Sequence, residues 1–252
     1  MEAESSNQWD VFRGPALRVA KKSNRFLDAA LFRQAPIERW MTPNDVVIDD
    51  EAFRLRRFQL DRKPAQPRES HAPILVVPPE VNRSFVVDFG PGQSLVENLL
   101  DAGFCEVYAI EWRSPSGRTV NRDIDDSIES ILSCIRTAGG RVHLLGVCQG
   151  GWESTIAAAL EPDMIVTLTL VAAPIDFGAG EGIVKHLVER MPMAGYRSLV
   201  NAGKGVMRGD FISGGFDNLL VFERYFLKYF TLWNHLGESL WMERYQQLND
   251  WY

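Results

Sequence analysis

Residues 141–162 read RVHLLGVCQGGWESTIAAALEP, and this stretch decides the fold class. It opens with Val142–Val147, a short apolar run of the kind that forms a strand buried on both faces of a sheet. A turn bounded by glycines follows, and then an alanine-rich segment that ends before Pro162 and predicts a helix. The stretch therefore predicts a buried strand that turns sharply into a helix.

Segments of the same two kinds alternate on both sides of this stretch. Four of them are rich in apolar or β-branched residues and predict strands: 46–60 around an acidic turn at Asp49–Asp50, Ile74–Val77, Glu106–Trp112 and Ile165–Ala172. Helices are predicted between them, and strands that alternate with helices of this length indicate repeated βαβ units with a parallel sheet. The predicted fold class is α/β.

Two of the predicted helices carry clear start and stop signals. Ser94 and Glu97 have the spacing of a capping box, and Gly103 is placed to end that helix. The second helix has acidic residues at its start, near Asp123, and glycines after its end. The apolar positions predicted to face the core are Leu95, Val96, Leu99 and Leu100 in the first helix and Ile124, Ile128, Ile131, Leu132 and Ile135 in the second.

The composition is that of an ordinary globular protein. The 252 residues are 46% hydrophobic and 24% charged, and 27 basic against 33 acidic side chains give a net charge of −6. This acidic balance argues against nucleic acid as the main partner. No apolar run reaches the roughly 18 residues of a spanning helix. The start of the chain also lacks an apolar signal core, so a cytoplasmic protein is expected.

The three cysteines are Cys105, Cys134 and Cys148, and none belongs to a CxxC pair. Because the four histidines are also scattered, the pattern argues against a disulfide framework and against a zinc site, so no metal and no other cofactor is predicted. Cys105 and Cys134 lie in apolar strand or helix surroundings and are predicted to be core residues. Cys148 differs from them because it is flanked by glycines.

Gly146, Cys148 and Gly150 form the G-x-C-x-G pattern of a nucleophile elbow, with cysteine in the place of serine. A strand that reverses into a helix within two or three residues strains the backbone of its central residue, and side chains two positions away would collide there. The bend would lift the thiol above the sheet edge, where the backbone N–H of Gln149 faces the oxygen of a tetrahedral intermediate. The alternative is a buried structural cysteine in a tight turn.

Three stretches together resemble the polyhydroxyalkanoate synthases and the wider group of related intracellular hydrolases: residues 73–112, 141–162 and 166–177. Several motifs carry the resemblance: the paired prolines at 78–79, Asn82, Asp-x-x-Pro at 88–91 and a strand that ends in Glu111-Trp112. Cys-Gln-Gly-Gly at 148–151 is similar to the synthase class that works with a second, smaller subunit. The resemblance covers roughly residues 42–252.

The resemblance implies an α/β-hydrolase fold, with a mostly parallel sheet, helices on both faces and a helical cap segment, of which this chain holds a part. It implies that Cys148 takes the acyl group of an (R)-3-hydroxyacyl-CoA, holds it as a covalent thioester and passes it to a growing polyhydroxyalkanoate. The oxyanion hole would use Gln149 and the loop after an earlier strand, with Val81 and Asn82 as candidates. A second synthase subunit, a homodimer and a granule surface are the implied partners.

The acid and the base of the resembling enzymes follow the nucleophile on later strands. No convincing buried strand follows Ala172, so both residues are expected beyond Tyr252, in a longer chain; a natural short form without catalytic power is the alternative. His143, His186 and His235 are more typical of packed or surface positions, and none is assigned as the base. Asp176 is predicted to cap the turn that follows it.

The predicted organisation is an N-terminal helical segment (1–44), an incomplete α/β-hydrolase core (45–177) and a helical cap region (178–252). The last 42 residues contain 12 aromatic side chains, which would line an apolar acyl or polymer channel, pair subunits or form a helical core. Three functions are open at this point. They are an acyltransferase, an intracellular depolymerase or thioesterase, and an inactive scaffold or granule-associated protein.

Overall fold

The computed structural model describes residues 19–28, 40–59, 72–90, 92–181, 183–219, 227–242 and 244–245. The chain divides into two compact units. One unit contains Glu38–Gly209, and the other combines Met1–Ile37 with Asp210–Tyr252. The first unit holds the sheet and the candidate site.

The first unit is built on a six-stranded sheet with the order β1-β2-β4-β3-β5-β6. Its strands are β1 (Asn44–Asp49), β2 (Phe53–Phe58), β3 (Ile74–Val77), β4 (Val107–Trp112), β5 (Val142–Val147) and β6 (Ile165–Val171). β1 and β2 pair antiparallel, as do β2 and β4, whereas β3, β4, β5 and β6 run parallel. This is the α/β-hydrolase fold, and the strands predicted from the apolar runs are all confirmed.

Helices connect the parallel strands β3, β4, β5 and β6, and further helices follow β6. Residues 19–28 are helical (α1), and they are followed by α2 (Leu95–Asp101), α3 (Ile124–Thr137), α4 (Gln149–Leu160), α5 (Ile183–Arg190), α6 (Met193–Ala202), α7 (Gly209–Leu219) and α8 (Lys228–His235). None of the helices in the described ranges is both long and apolar enough to cross a membrane.

The alternation of side chains along β3 builds a hydrophobic core on each face of the sheet. Leu75 and Val77 pack with the buried stripe of α3 on one face. Ile74 and Val76 pack with Val96 and Leu100 of α2 on the other. Helices therefore cover both faces, as predicted, and each fully buried side chain of this size contributes about 2 kcal/mol to the hydrophobic term.

The helix starts agree with the sequence only in part. The Ser94 hydroxyl accepts the Glu97 N–H at 2.8 Å, but it also donates to Asp88, and the Glu97 side chain does not complete a capping box. A complete capping box is found instead at Asp123 and Asp126 in α3. The prediction that Ile124 faces the core is wrong, because it begins the first turn of α3 and is 55% exposed.

Asp88 is a fully buried carboxylate that ties the segment before β1 to the loop before α2. Its Oδ2 accepts the backbone N–H groups of Met41 (2.8 Å) and Thr42 (2.7 Å). Its Oδ1 accepts the hydroxyls of Thr42 (2.8 Å) and Ser94 (2.6 Å). Four donors satisfy this acceptor, which is the usual condition for burying a charge.

The second unit has a small aromatic core of its own. Leu232 and Leu236 are buried there, and Phe26, Tyr229 and Trp233 pack against them. Phe26 lies edge-on to both Tyr229 and Trp233, which is a favoured aromatic geometry. The aromatic residues Phe222, Tyr225 and Phe226 lie outside the described residues. The boundaries at 44 and 177 stay predictions.

Candidate active site

Cys148 occupies the sharp turn between β5 and α4, as the elbow pattern predicts. Its backbone has φ 54° and ψ −117°, a conformation that residues with a side chain rarely adopt. Its N–H donates to the carbonyl of Val171 at 2.8 Å, and its carbonyl accepts the N–H of Gly151 at 2.9 Å. The Cys148 side chain is exposed. The turn therefore holds the thiol out of the sheet in a fixed, strained position, not buried in the core.

Three glycines leave the space that this turn needs. A Cβ added to Gly146 would lie 2.5 Å from the carbonyl oxygen of Gly150, and one added to Gly150 would collide with the carbonyl oxygen of Val77. Gly151 was not assigned a role from the sequence, yet a Cβ there would collide with that of Ala173. The Gly-Gly pair at 150–151 is the sequence signal that could have indicated this second close approach.

The loop after β3, residues 78–82, contains the candidate second oxyanion donor, and three neighbouring elements fasten it. The carbonyl of Pro78 accepts the indole N–H of Trp112 at 2.8 Å, which attaches the loop to β4. The carboxylate of Glu80 accepts the hydroxyl of Ser127 in α3 at 2.7 Å. The N–H of Val81 donates to the side-chain Oε1 of Gln149 in α4 at 3.1 Å.

Two of the predicted oxyanion residues, Gln149 and Val81, are therefore in contact beside the elbow. As the first residue of α4, Gln149 has a backbone N–H that precedes the helical hydrogen-bond ladder. The N–H of Val81, in contrast, is already bonded to the Gln149 side chain. Asn82 is exposed, and its side-chain oxygen accepts the N–H of Arg83 at 3.0 Å.

Glu153 is a buried acid below the elbow that the sequence analysis did not identify. It is 1% exposed, and its Oε1 accepts the side-chain N–H of Gln149 at 3.0 Å. Burial, together with the nearby carboxylate of Glu80, raises the pKa of Glu153 to about 8, against the opposing effect of the hydrogen bond from Gln149. Gln149 and Glu153 are four residues apart, a helical spacing that could have indicated their contact.

Each of the described histidines has a hydrogen-bond or ion-pair partner other than Cys148. These partners are Thr167 for His143 (2.8 Å), Glu181 for His186 (3.3 Å) and Glu238 for His235 (2.8 Å). His71 lies outside the described residues. The side chain of Asp176 accepts the N–H of Gly178 at 2.8 Å and so caps the turn after β6, as predicted. None of the described histidines is assigned as a base.

The other two cysteines differ from each other in burial. The prediction that Cys105 is a core residue is wrong: its side chain is exposed, because β4 begins only at Val107 and Cys105 lies in the connection before it. Cys134 is fully buried in α3 as predicted, and burial raises the pKa of its thiol well above the usual range. The described residues contain no group of three or more potential metal ligands.

Comparison with known proteins shows relatives of one kind over most of the chain, although no family model matches. The chain is 29% identical over 218 residues to the poly(3-hydroxyalkanoate) polymerase subunit PhaC of Haloferax mediterranei, which covers 83% of this chain and 42% of that protein. It is 36% identical over 147 residues to the subunit of the same name from Synechocystis, which covers 56% of this chain and 38% of that protein. It is 26% identical over 241 residues to the subunit of the same name from Allochromatium vinosum, which covers 93% of this chain and 66% of that protein.

Solved structures with a similar arrangement include a bacterial membrane phospholipase A, with a TM-score of 0.45, 16% identity, and 71% of this chain and 52% of that chain covered. A probable hydrolytic enzyme from Pseudomonas aeruginosa has a TM-score of 0.41 and 15% identity, with 86% and 68% covered. The chain spans about half the length of the curated relatives it matches. The curated relatives confirm the resemblance to polyhydroxyalkanoate synthases that was noted from the sequence.

Proposed function

Because the chain is related in sequence to polyhydroxyalkanoate polymerase subunits, we propose that it is the nucleophile-bearing part of an acyltransferase that polymerises (R)-3-hydroxyacyl-CoA into a polyhydroxyalkanoate. The observation that carries the proposal is the position of Cys148. Its thiol is exposed at a strained strand–helix turn, in a chain whose relatives are named as polymerases. Such a turn is the usual site of the nucleophile in this fold.

The proposed chemistry is an exchange of thioesters. The sulfur of Cys148 attacks the acyl carbon of the hydroxyacyl-CoA, and the carbonyl oxygen becomes an oxyanion. When this intermediate collapses, the bond to the CoA sulfur breaks and the CoA thiol leaves with a proton, so the acyl group stays on Cys148 as a thioester. A hydroxyl of the next unit or of the growing chain then attacks this thioester. A new ester C–O bond forms, the bond to the Cys148 sulfur breaks, and the hydroxyl proton passes to that sulfur.

The backbone N–H of Gln149 is the proposed donor to the oxyanion. It lies next to Cys148 and begins α4, so the partial positive charge of the helix N-terminus adds to its effect. The acid and the base are proposed to lie beyond Tyr252. A second synthase subunit, a homodimer and association with granules are proposed with the same activity, as the sequence resemblance implies.

The test is the formation of an acyl-enzyme. The protein is prepared with the segment that is proposed to carry the acid and the base and is incubated with (R)-3-hydroxybutyryl-CoA. The adduct is located by intact-protein mass spectrometry and peptide mapping. An adduct on Cys148 is expected in the wild type and in Cys105→Ser, and its loss is expected in Cys148→Ser. Cys105 is the matched control, because its thiol is also exposed but does not lie on an elbow. Equal adducts on Cys105 and Cys148 would contradict the nucleophile assignment.

The products separate the two reactions that the same nucleophile can support. Free CoA with insoluble polymer indicates that a hydroxyl is the acceptor, as the proposal requires. Soluble 3-hydroxybutyrate indicates that water is the acceptor, and the protein is then a depolymerase or thioesterase. If no adduct forms on Cys148 even in the protein that carries the proposed acid and base, the acyltransferase proposal is rejected and an inactive scaffold is the function that remains.

A further inference from the structure

Three groups form a continuous chain of hydrogen bonds from the interior of α4 to the loop 78–82. The carboxyl of Glu153 accepts the side-chain N–H of Gln149 at 3.0 Å. The oxygen of the same carboxamide accepts the backbone N–H of Val81 at 3.1 Å. Because a carboxamide has one donating and one accepting end, the two bonds together fix its orientation. Glu153 is buried and Val81 is exposed, so the chain leads from the core to the surface beside Cys148.

Stability alone does not account for an acid at position 153. Oε2 of Glu153 is buried and has no hydrogen-bond partner among the described residues, and an unpaired buried polar atom costs free energy. Glu80, on the loop itself, is close enough to disfavour a second negative charge there. An apolar side chain of similar size would avoid both costs. The acid therefore has a use other than packing, and among the described residues its side-chain hydrogen bond is with Gln149.

We propose that Glu153 is a positioning residue, which holds the carboxamide of Gln149 and through it keeps the loop 78–82 at the height of Cys148. The effect of Glu153 on acyl transfer rests on the proposed function, whereas the positioning of the loop by Glu153 does not. The loop is already attached to β4 by Pro78 and to α3 by Glu80, and Val81 is the point where α4 holds it. Fixing Val81 limits the movement of the next residue, Asn82, whose backbone N–H would otherwise vary in distance from the acyl oxygen.

The direct test is hydrogen exchange at the Val81 amide, measured residue by residue by NMR on the whole chain. Glu153→Leu removes the acceptor but keeps an apolar side chain of similar size, and exchange at Val81 is expected to rise about fivefold. That factor corresponds to about 1 kcal/mol, which is typical of one hydrogen bond. Glu153→Gln keeps an oxygen for the Gln149 N–H, and its exchange rate is expected to match that of the wild type.

A second variant keeps the test valid if substitution at 153 disturbs folding. Gln149→Leu removes the carboxamide from a half-buried position and keeps the backbone N–H. It is expected to increase exchange at Val81 as much as Glu153→Leu does, and the double variant is expected to add nothing, because both changes break the same chain of hydrogen bonds. Unchanged exchange in both single variants, or equal rates in Glu153→Leu and Glu153→Gln, would overturn the proposal.

Acylation of Cys148 separates this proposal from the proposed function. The rate of adduct formation from (R)-3-hydroxybutyryl-CoA is expected to fall about fivefold in Glu153→Leu and to be retained in Glu153→Gln. Thermal unfolding is expected to show Glu153→Leu at least as stable as the wild type, so a lower rate cannot come from lost stability. If the wild type forms no adduct but the exchange pattern holds, the acyltransferase proposal fails and the positioning stands. If the adduct forms equally fast in all three, Glu153 does not position the site for acyl transfer.

Discussion

The stability of the chain is expected to depend on pH through Glu153, and Glu153→Gln is the substitution that removes this dependence. The pKa of this carboxyl is raised from 4.5 to about 8 in the folded protein, mainly by burial. Below pH 4.5 the folded and unfolded states both carry the proton, so Glu153 then costs no free energy of ionisation. As the pH rises from 4.5 to 8, the unfolded state loses the proton first, and the folded state becomes progressively less stable.

The size of the effect follows from the two pKa values. At about 1.4 kcal/mol per pKa unit, the full loss above pH 8 is about 5 kcal/mol, and about 3 kcal/mol of it is already present at pH 7. Glutamine has the same shape and does not titrate. Glu153→Gln is therefore expected to equal the wild type in stability near pH 4.5 and to exceed it by about 5 kcal/mol at pH 9.

The assay is urea unfolding followed by tryptophan fluorescence at pH 5, 7 and 9 for both proteins. The difference between them cancels the titration of every other group. Glu161→Gln is the matched control, because Glu161 is an exposed acid at the other end of the same helix, and this variant is expected to follow the wild type at all three values. A difference between Glu153→Gln and the wild type that is the same at pH 5 and pH 9 would refute the reasoning.

Three further predictions concern the residues that hold the site together. Asp88→Ala leaves four donors, three of them buried, without an acceptor, and it is expected to cost about 4 kcal/mol in unfolding free energy, measured by urea unfolding. Asp88→Asn is expected to cost less than half of this, because its two hydroxyl partners can accept instead of donate; equal costs would contradict this account. Gly150→Ala places a methyl group on the carbonyl of Val77, and it is expected to lower the free energy of unfolding by about 3 kcal/mol and to abolish acylation of Cys148. A fully active variant would show that the close approach is not needed. Cys134→Ser buries a hydroxyl in the core and is expected to lower the free energy of unfolding by about 2 kcal/mol, with the acyl adduct on Cys148 unchanged. Loss of the adduct in a folded variant would contradict the assignment of Cys134 to the core.

Local patterns predicted the elements of the fold well. The apolar run Ile74–Val77 is a strand with the same bounds, and so is Val142–Val147. Strand formation of this kind depends on an unbroken series of apolar side chains, which is visible in the sequence. The elbow at Cys148 was predictable for a similar reason, because steric exclusion between residues two positions apart is a local property.

The errors occurred at boundaries between elements. Cys105 is two residues before β4 and Ile124 is the first residue of α3, and both are exposed. Apolar composition in a window of several residues does not show where the buried part of that window begins. Glu153 was missed for a different reason. Within an alanine-rich helix, Glu153 has the sequence pattern of a solvated charge. Only the tertiary structure shows that its side chain is buried and bonded to Gln149.

The sequence by itself determined that a strand ends in a strained turn at Cys148 and that a helix follows it, since these features depend on residues within a few positions of one another. Only the tertiary structure decided what surrounds the thiol. β3 and β5 are neighbours in the sheet, with Val77 opposite Gly146, and this pairing brings the loop 78–82 against α4. The contact between Val81 and Gln149 joins residues that are 68 positions apart in the chain. Such a contact depends on the order of the strands, which no local pattern encodes, because strand order is selected by the packing of the whole core.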